Sequence, residues 1–400
     1  MVAKVFQKFN HLIISLVSIG VFIESAIVLC SIQVATKLAF QKNTKWYQKC
    51  MDSTKNYFIM IVTAILSIAA PSKVRITTCD DSIAKGRFLM DSQKGRISST
   101  LRPNVVVICN HQIYTDWIYL WWVAYTSDFA GRVHIMLKKS LRSIPLLGFG
   151  MSNFNFLFMN RKWADDRINL LNTLKELDAN ARGLGPLAGK NPINVDEEGV
   201  AIWDCKSQPT IEEKTASSKC WPYTFLLFPE GTNLTDNTRS KTLKYANKVN
   251  KKPFRHLLLP HVTGLLFTLE TLEPSIDVIY DVTIGYSGVG RSSYAASKYS
   301  LKQIFIEGKY PKLVDIHLRA YKVKDIPLKD EEKFSEWLYN VWAEKDDLLE
   351  EYYTTGSFTE DSTKATTVVD KFNIRTCEFL LVALVPSITL LFFLRWLYFF

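Results

Sequence analysis

The stretch "VVVICNHQIYTDWIYLWW", Val105 to Trp122, begins as an unbroken apolar run and then places Asn110, His111, Thr115 and Asp116 ahead of an aromatic-rich segment. A short run of β-branched residues bounded by polar ones reads as a buried strand. The apolar spacing from Ile113 to Tyr125 reads as a helix, so Asn110 and His111 fall in a strand-to-helix turn. Residues five apart on an ideal helix lie about 140° apart. His111 and Asp116 can therefore meet only if the histidine sits in the turn and the aspartate in the first helical turn. An imidazole held by a carboxylate is oriented, kept in one tautomer and stabilised when it takes a proton, as a general base requires. A capping histidine and an aspartate stabilising a helix start remain the alternative for this pair taken alone.

Working outward, further apolar runs at Val133–Leu137, Phe154–Met159, Thr224–Phe228, Ile276–Ile284 and Val314–Ala320 read as strands. Trp163–Arg182 and Asp236–Val249 read as helices, and Phe334, Leu338, Val341, Trp342, Leu349 and Tyr352 mark another amphipathic one. Strands alternating with helices predict an α/β fold with a mainly parallel sheet flanked by helices. Residues 183–219, rich in Gly, Pro, Ser, Asp and Lys without periodicity, read as an inserted surface loop. Within it "GLGPLAGKN" falls short of a phosphate loop, because Leu184 occupies the first glycine position and Asn191 replaces the magnesium-binding Ser or Thr.

Two other stretches carry candidate chemistry. In "FLLFPEGTNLTD", Phe225 to Asp236, a strand stops at Pro229 and a turn of Glu230, Gly231 and Thr232 leads to a helix. Such a turn exposes backbone amides to a ligand, and Glu230 offers a carboxylate for glycerol-like hydroxyls; an ordinary tight turn is the alternative. In "KKSLRSIPLLGFGMSNFNFLFMNRKW", Arg161 directly follows the strand ending in Phe158 and Met159, where it can reach an anion at the sheet's carboxyl edge.

The chain has 400 residues, 48% of them hydrophobic, and a formal charge of +10. That length allows one large or two modest domains. The charge, without a long basic tract or a nucleic-acid module, suits an anionic membrane surface or substrate rather than nucleic acid. Seven scattered cysteines have no spacing for a zinc or redox site and suit a reducing compartment. Asn233-Leu234-Thr235 is a formal glycosylation tripeptide of the sort common by chance.

Leu12–Thr36, apolar except for Glu24, is long enough at about 1.5 Å per residue to span a bilayer core of about 30 Å. It exceeds the h-region of a signal peptide and lacks a clear cleavage site. Tyr57–Ala70 is apolar but short, which predicts a re-entrant or interfacial helix. Phe379–Phe400 is apolar, with Pro386 and Arg395 inside and Trp396 and Tyr398 near its end, and either spans or lies shallowly. Lysines and arginines flank every segment, so charge does not orient the chain.

Taken in order, Asn110-His111 with Asp116, then Gly148, Phe158 and Arg161, then Phe228-Pro229-Glu230-Gly231-Thr232, resemble the blocks of the glycerolipid acyltransferase family of 1-acylglycerol-3-phosphate and lysophospholipid acyltransferases. The resemblance covers roughly residues 102–358. "LLLPHVTGLLF" is similar to a fourth block around Pro260 and Gly264, with His261 where arginine is usual. "YDVTIGYSG" and "EWLYNVWAEKDDLLEEYYTTGSF" resemble the lysophosphatidylinositol and lysocardiolipin branch. On this basis residues 1–72 form a membrane anchor, 73–358 the acyltransferase domain, and 359–400 a linker and terminal hydrophobic segment.

The resemblance implies that His111 deprotonates the free hydroxyl of a lysophospholipid, that Asp116 orients it, and that the alkoxide attacks the thioester of an acyl-CoA, which serves as co-substrate with no cofactor or metal. It assigns the glycerol phosphate to Arg161, Glu230, Gly231 and Thr232, with Asn110 and Pro229 as neighbouring substrate-site residues. Lysophosphatidylinositol is the favoured acceptor and lysophosphatidate the next. The implied location is a membrane, the endoplasmic reticulum first and the lipid droplet second. A coenzyme A-independent phospholipid transacylase and a non-catalytic lipid-binding protein are the competing readings. The aromatics Trp117, Tyr119, Trp121 and Trp122 suit either the core or an acyl chain. Head group, acyl length, glycerol position, membrane orientation and oligomeric state are not legible in the sequence.

Overall fold

The computed structural model describes residues 2–42, 44–91, 95–160, 163–204, 220–358 and 364–399. Among the described residues, eight strands form one sheet in the order β12-β1-β11-β10-β4-β9-β5-β6. They are β1 (Lys73–Cys79), β4 (Val105–Cys109), β5 (Val133–Lys138), β6 (Leu157–Met159), β9 (Thr224–Leu227), β10 (Val278–Tyr286), β11 (Leu313–Lys322) and β12 (Ala365–Lys371). Two small hairpins hold β2 (Phe88–Asp91) with β3 (Arg96–Ser99), and β7 (Asn194–Val195) with β8 (Ala201–Ile202). The pairs β1–β11, β10–β4, β4–β9, β5–β9 and β5–β6 are parallel, while β1–β12 and β10–β11 are antiparallel. The mainly parallel α/β sheet expected from the sequence is the one observed.

The central strand β4 shows why the fold is layered. Val105, Val107 and Cys109 point into one core cluster and Val106 and Ile108 into the other, the period of two that a strand buried on both faces imposes. The first cluster contains residues of α2 (Lys45–Ala69) and α3 (Asp116–Thr126). The second contains residues of α5 (Trp163–Ala181), α7 (Val262–Leu272) and α10 (Glu331–Thr355). The remaining helices are α1 (Val2–Ala39), α4 (Leu147–Asn153), α6 (Asp236–Lys248), the short α8 (Ala295–Lys298) and α9 (Leu301–Phe305), and α11 (Thr376–Phe399). Gly148 is forced by packing: a Cβ there would lie 1.9 Å from the carbonyl oxygen of Arg142.

Several expectations need correction. Tyr57–Ala70, expected as a separate short segment, is the second half of the longer α2, where Ile59, Ile61, Ala64, Leu66 and Ala69 are 0–2% exposed and Ile68 is 54% exposed. Charged anchors dock the first half: Lys55 Nζ donates to the Val133 carbonyl at 3.0 Å, and Asp52 lies 3.2 Å from Arg132. The strand read over Phe154–Met159 begins only at Leu157, because Asn155 adopts φ 56° in the turn leaving α4. The insertion is not plain loop where described; the β7–β8 hairpin precedes a buried Trp203 that packs with Leu184 and Ala179. Residues 205–219 of that insertion lie outside the described residues.

Helix α1 is apolar enough from Phe9 to Ala39 to cross a membrane by length and composition. It also docks on the body: Gln33, fully buried, accepts from Asn153 Nδ2 at 2.8 Å, and His11 Nε2 lies 2.8 Å from the Ile304 carbonyl. Its outward Leu16, Val17, Ile19 and Ile23 are exposed, as are Leu380, Leu381 and Leu384 of α11, which runs unbroken through Pro386 and packs against α1 and α2.

Candidate active site

The strands β4, β9 and β10 run parallel and end on one edge at Cys109, Leu227 and Tyr286, where open α/β sheets bind ligands. Asn110 caps β4. Its side chain donates to the Ile284 carbonyl at 3.1 Å and accepts from the Ile284 N–H at 2.8 Å, extending the ladder by one rung. With both ends of the amide used and 0% exposure, Asn110 positions the turn.

The turn then delivers His111 onto Asp116. The ring Nδ1 lies 2.8 Å from Asp116 Oδ2, which also accepts the backbone N–H of Gln112 at 2.6 Å and of Ile113 at 3.0 Å. The hydroxyl of Tyr286 donates to Asp116 Oδ1. Asp116 is 0% exposed, so this carboxylate survives burial through four donors. Burial pushes the Tyr286 hydroxyl well above its ordinary range, and the neighbouring Asp116 adds to the effect, so the phenol keeps its proton. An ionised carboxylate only accepts, so the neutral imidazole carries its proton on Nδ1 and keeps the Nε2 lone pair. Phe228 stacks on the ring with centroids 4.5 Å apart, and the histidine side chain is 19% exposed.

The block Phe228 to Thr232 closes over this turn. Gly231, at φ 69°, donates to the Phe228 carbonyl at 2.9 Å, and a Cβ at this position would stand 3.3 Å from the ring of His261. Only glycine takes that conformation without strain. Pro229 is buried, and its carbonyl accepts the His261 N–H at 2.8 Å, fastening the fourth block onto the third. Thr232 is half-buried in the turn, and Leu234 N–H donates to the His111 carbonyl at 3.0 Å.

Glu230 departs most from expectation. It is 2% exposed, and its two carboxyl oxygens accept the backbone N–H groups of His111 and Leu258, each at 3.3 Å. Burial pushes its pKa up to about 8 against the pull of those two amides. The carboxyl therefore ties the His111 turn to the 250–261 loop.

Arg161 lies outside the described residues; Asn160 before it donates its N–H to Asp166 Oδ1 at 2.9 Å. Of the aromatic group, Tyr119, Trp121 and Trp122 are 0–2% exposed core residues, with both tryptophan N–H groups bonded to carbonyls at 2.7 Å. Trp117 alone is half-buried, 6.5 Å from Phe58 and nearly parallel to it. Sequence reasoning missed Tyr286 and Gln112. Gln112 donates to the His256 carbonyl at 3.1 Å. Tyr286 lay inside "YDVTIGYSG", where a buried strand ending in tyrosine was the available signal.

An imidazole held by a buried carboxylate at a parallel sheet edge is an arrangement that general acid–base enzymes use. Residues 92–287 match the family model described as Acyltransferase, and residues 305–379 the one described as Acyltransferase C-terminus. The chain is 51% identical over 395 residues to the 2-acyl-1-lysophosphatidylinositol acyltransferase of Saccharomyces cerevisiae, covering 99% of this chain and 98% of that protein. It is 26% identical over 313 residues to lysocardiolipin acyltransferase 1 of Gallus gallus, covering 78% of this chain and 65% of that one. It is also 26% identical over 259 residues to 1-acyl-sn-glycerol-3-phosphate acyltransferase delta of Mus musculus, covering 65% and 56%. The chain belongs to the acyltransferase family and is an enzyme of that class.

Proposed function

We propose that this acyltransferase moves an acyl chain from acyl-CoA to the free hydroxyl of a lysophospholipid in phospholipid synthesis and remodelling, with lysophosphatidylinositol the favoured acceptor and lysophosphatidate next. The observation that carries the reading is the 2.8 Å bond between His111 Nδ1 and a fully buried Asp116, which leaves Nε2 to take a proton at the sheet edge. His111 Nε2 takes the acceptor's hydroxyl proton as the oxygen attacks the thioester carbonyl. Asp116 stabilises the imidazolium. Collapse of the tetrahedral adduct breaks the C–S bond, and the imidazolium returns its proton to the departing thiolate. Written so, the reaction balances without cofactor or metal. The 51% identity with the yeast lysophosphatidylinositol enzyme supports the acceptor. We assign the acceptor's phosphate to Arg161 and its glycerol to the mouth formed by Gly231 and Thr232. The outward apolar face of α1 supports residence in a membrane, which we take to be the endoplasmic reticulum.

Purified full-length protein given lysophosphatidylinositol and acyl-CoA is expected to release free coenzyme A in step with new phosphatidylinositol. Product formed only when intact phospholipid is the donor would replace this reading with a transacylase.

A further inference from the structure

Beside the catalytic turn lies a cluster of charge that the transfer chemistry does not use. The loop before α7 supplies Arg255 and His256, the loop after β10 supplies Arg291, and Arg239 comes from α6. Arg255, His256 and Arg291 share one partner, Glu350 of α10. His256 Nε2 lies 2.6 Å from its Oε2, Arg255 lies 3.4 Å from its Oε1, and the Arg291 guanidinium contacts the same oxygen. Asp346, one turn earlier, spends its two oxygens on the backbone N–H groups of Arg255 and His256, at 2.8 and 2.7 Å. The His256 carbonyl accepts from Gln112, the neighbour of His111, so the cluster borders the catalytic turn.

Two guanidinium groups, of Arg255 and Arg291, thus share the single carboxylate of Glu350, because Asp346 is committed to the backbone. Arg255, Arg239 and Arg291 all act on the buried His256, whose pKa is lowered first by burial and then by these cations against the pull of Asp346. Arg239 is committed by a 3.3 Å bond to the Leu257 carbonyl. The Arg255 and Arg291 side chains are 70% and 58% exposed. Exposed arginine–glutamate pairs contribute little, about 0–1 kcal/mol, so a doubly charged phosphate competes readily for both forks.

We propose that Arg255 and Arg291 form a phosphate-binding subsite at the mouth of the active site, with Glu350 as the internal counterion that holds both arginines until a substrate phosphate arrives. The ligand chemistry is a phosphate ester, brought either by the head group of the lysophospholipid or by coenzyme A. This deepens the proposed acyl transfer and rests on it for the identity of those two carriers.

The test is equilibrium binding to the full-length protein in detergent, with free coenzyme A and micellar lysophosphatidylinositol as separate probes. The Arg255→Gln/Arg291→Gln double variant is expected to raise Kd at least about 10-fold for one probe, and that probe names the source. Glu350→Gln is expected to shift the same probe the opposite way, tightening it about 3-fold, which loss of fold does not do. Kd unchanged for both probes in a folded double variant overturns the subsite. The single Arg255→Gln variant, changed at the more exposed position, supplies the same readout if the double variant does not fold. Weakened binding where the wild type transfers nothing from acyl-CoA overturns the proposed donor and keeps the subsite; unchanged binding in an active enzyme does the reverse.

Discussion

Two carboxylates in this molecule are equally buried and each holds a basic side chain, yet the two pairs differ in what they leave unspent. Asp116 and Asp281 are both 0% exposed; one is held by His111 at 2.8 Å, the other by Lys345 at 2.6 Å. Lys345 is itself 0% exposed and spends its ammonium on Asp281 and the Val282 carbonyl, while Arg319 bonds the second oxygen of Asp281 at 2.8 Å. This network closes on itself between β10 and α10. His111 gives one nitrogen to its carboxylate, and the other has no protein partner among the described residues, on a side chain that reaches the surface. Burial and pairing alone suit a strut; an unspent nitrogen on an oriented ring suits the base we propose.

Breaking the closed pair is the largest effect expected. Lys345→Met leaves Asp281 with only Arg319 and should cost about 3–5 kcal/mol of stability, read as a lower denaturation midpoint, while the folded fraction keeps its turnover. Asp116→Asn should do the converse. Two backbone amides require an acceptor where Oδ2 stands, so the asparagine turns its NH2 toward Tyr286 and keeps the histidine's orientation while losing the charge. We expect kcat to fall by about 10²–10³ with little change in melting temperature. Tyr286→Phe removes one hydrogen bond to that carboxylate and should lower kcat by about 10-fold.

The smallest effect concerns Glu230. Its folded pKa, about 8, stands above that of an unfolded glutamate, so the stability it contributes is complete below about pH 4.5 and is lost as pH rises toward 8. Glu230→Gln, which cannot ionise, should show a smaller decline in melting temperature between pH 5 and pH 8 than the wild type. Equal slopes would show that the carboxyl is already ionised in the fold.

Local patterns made the centre of the fold legible and left its periphery obscure. Val105–Cys109 alternates between two cores and leads directly into the residues it positions, so strand, turn and base lie within one short window. Tyr286 meets Asp116 across 170 positions, and such a meeting depends on strand order, which no local spacing encodes. Strand β1, with Val74 and Ile76 buried, and its antiparallel partner β12 escaped notice because both sit toward one edge of the sheet with mixed apolar and polar residues. Helix α2 shows what composition leaves open. An apolar segment facing lipid and one facing a protein core have the same composition; the charges at Asp52 and Lys55, which bind the body, were the distinguishing mark. The structural role of Glu230 was hidden for a similar reason, since the amides of His111 and Leu258 that its oxygens accept lie far from it in sequence.

The account stands on His111 as the base. Coenzyme A release, counted as free thiol with acyl-CoA and lysophosphatidylinositol both saturating, tests it most directly in His111→Ala against the wild type, with melting temperature as the control. A fall of about 10²–10⁴ at unchanged melting temperature is the predicted result; thiol release at the wild-type rate from the folded variant would contradict it.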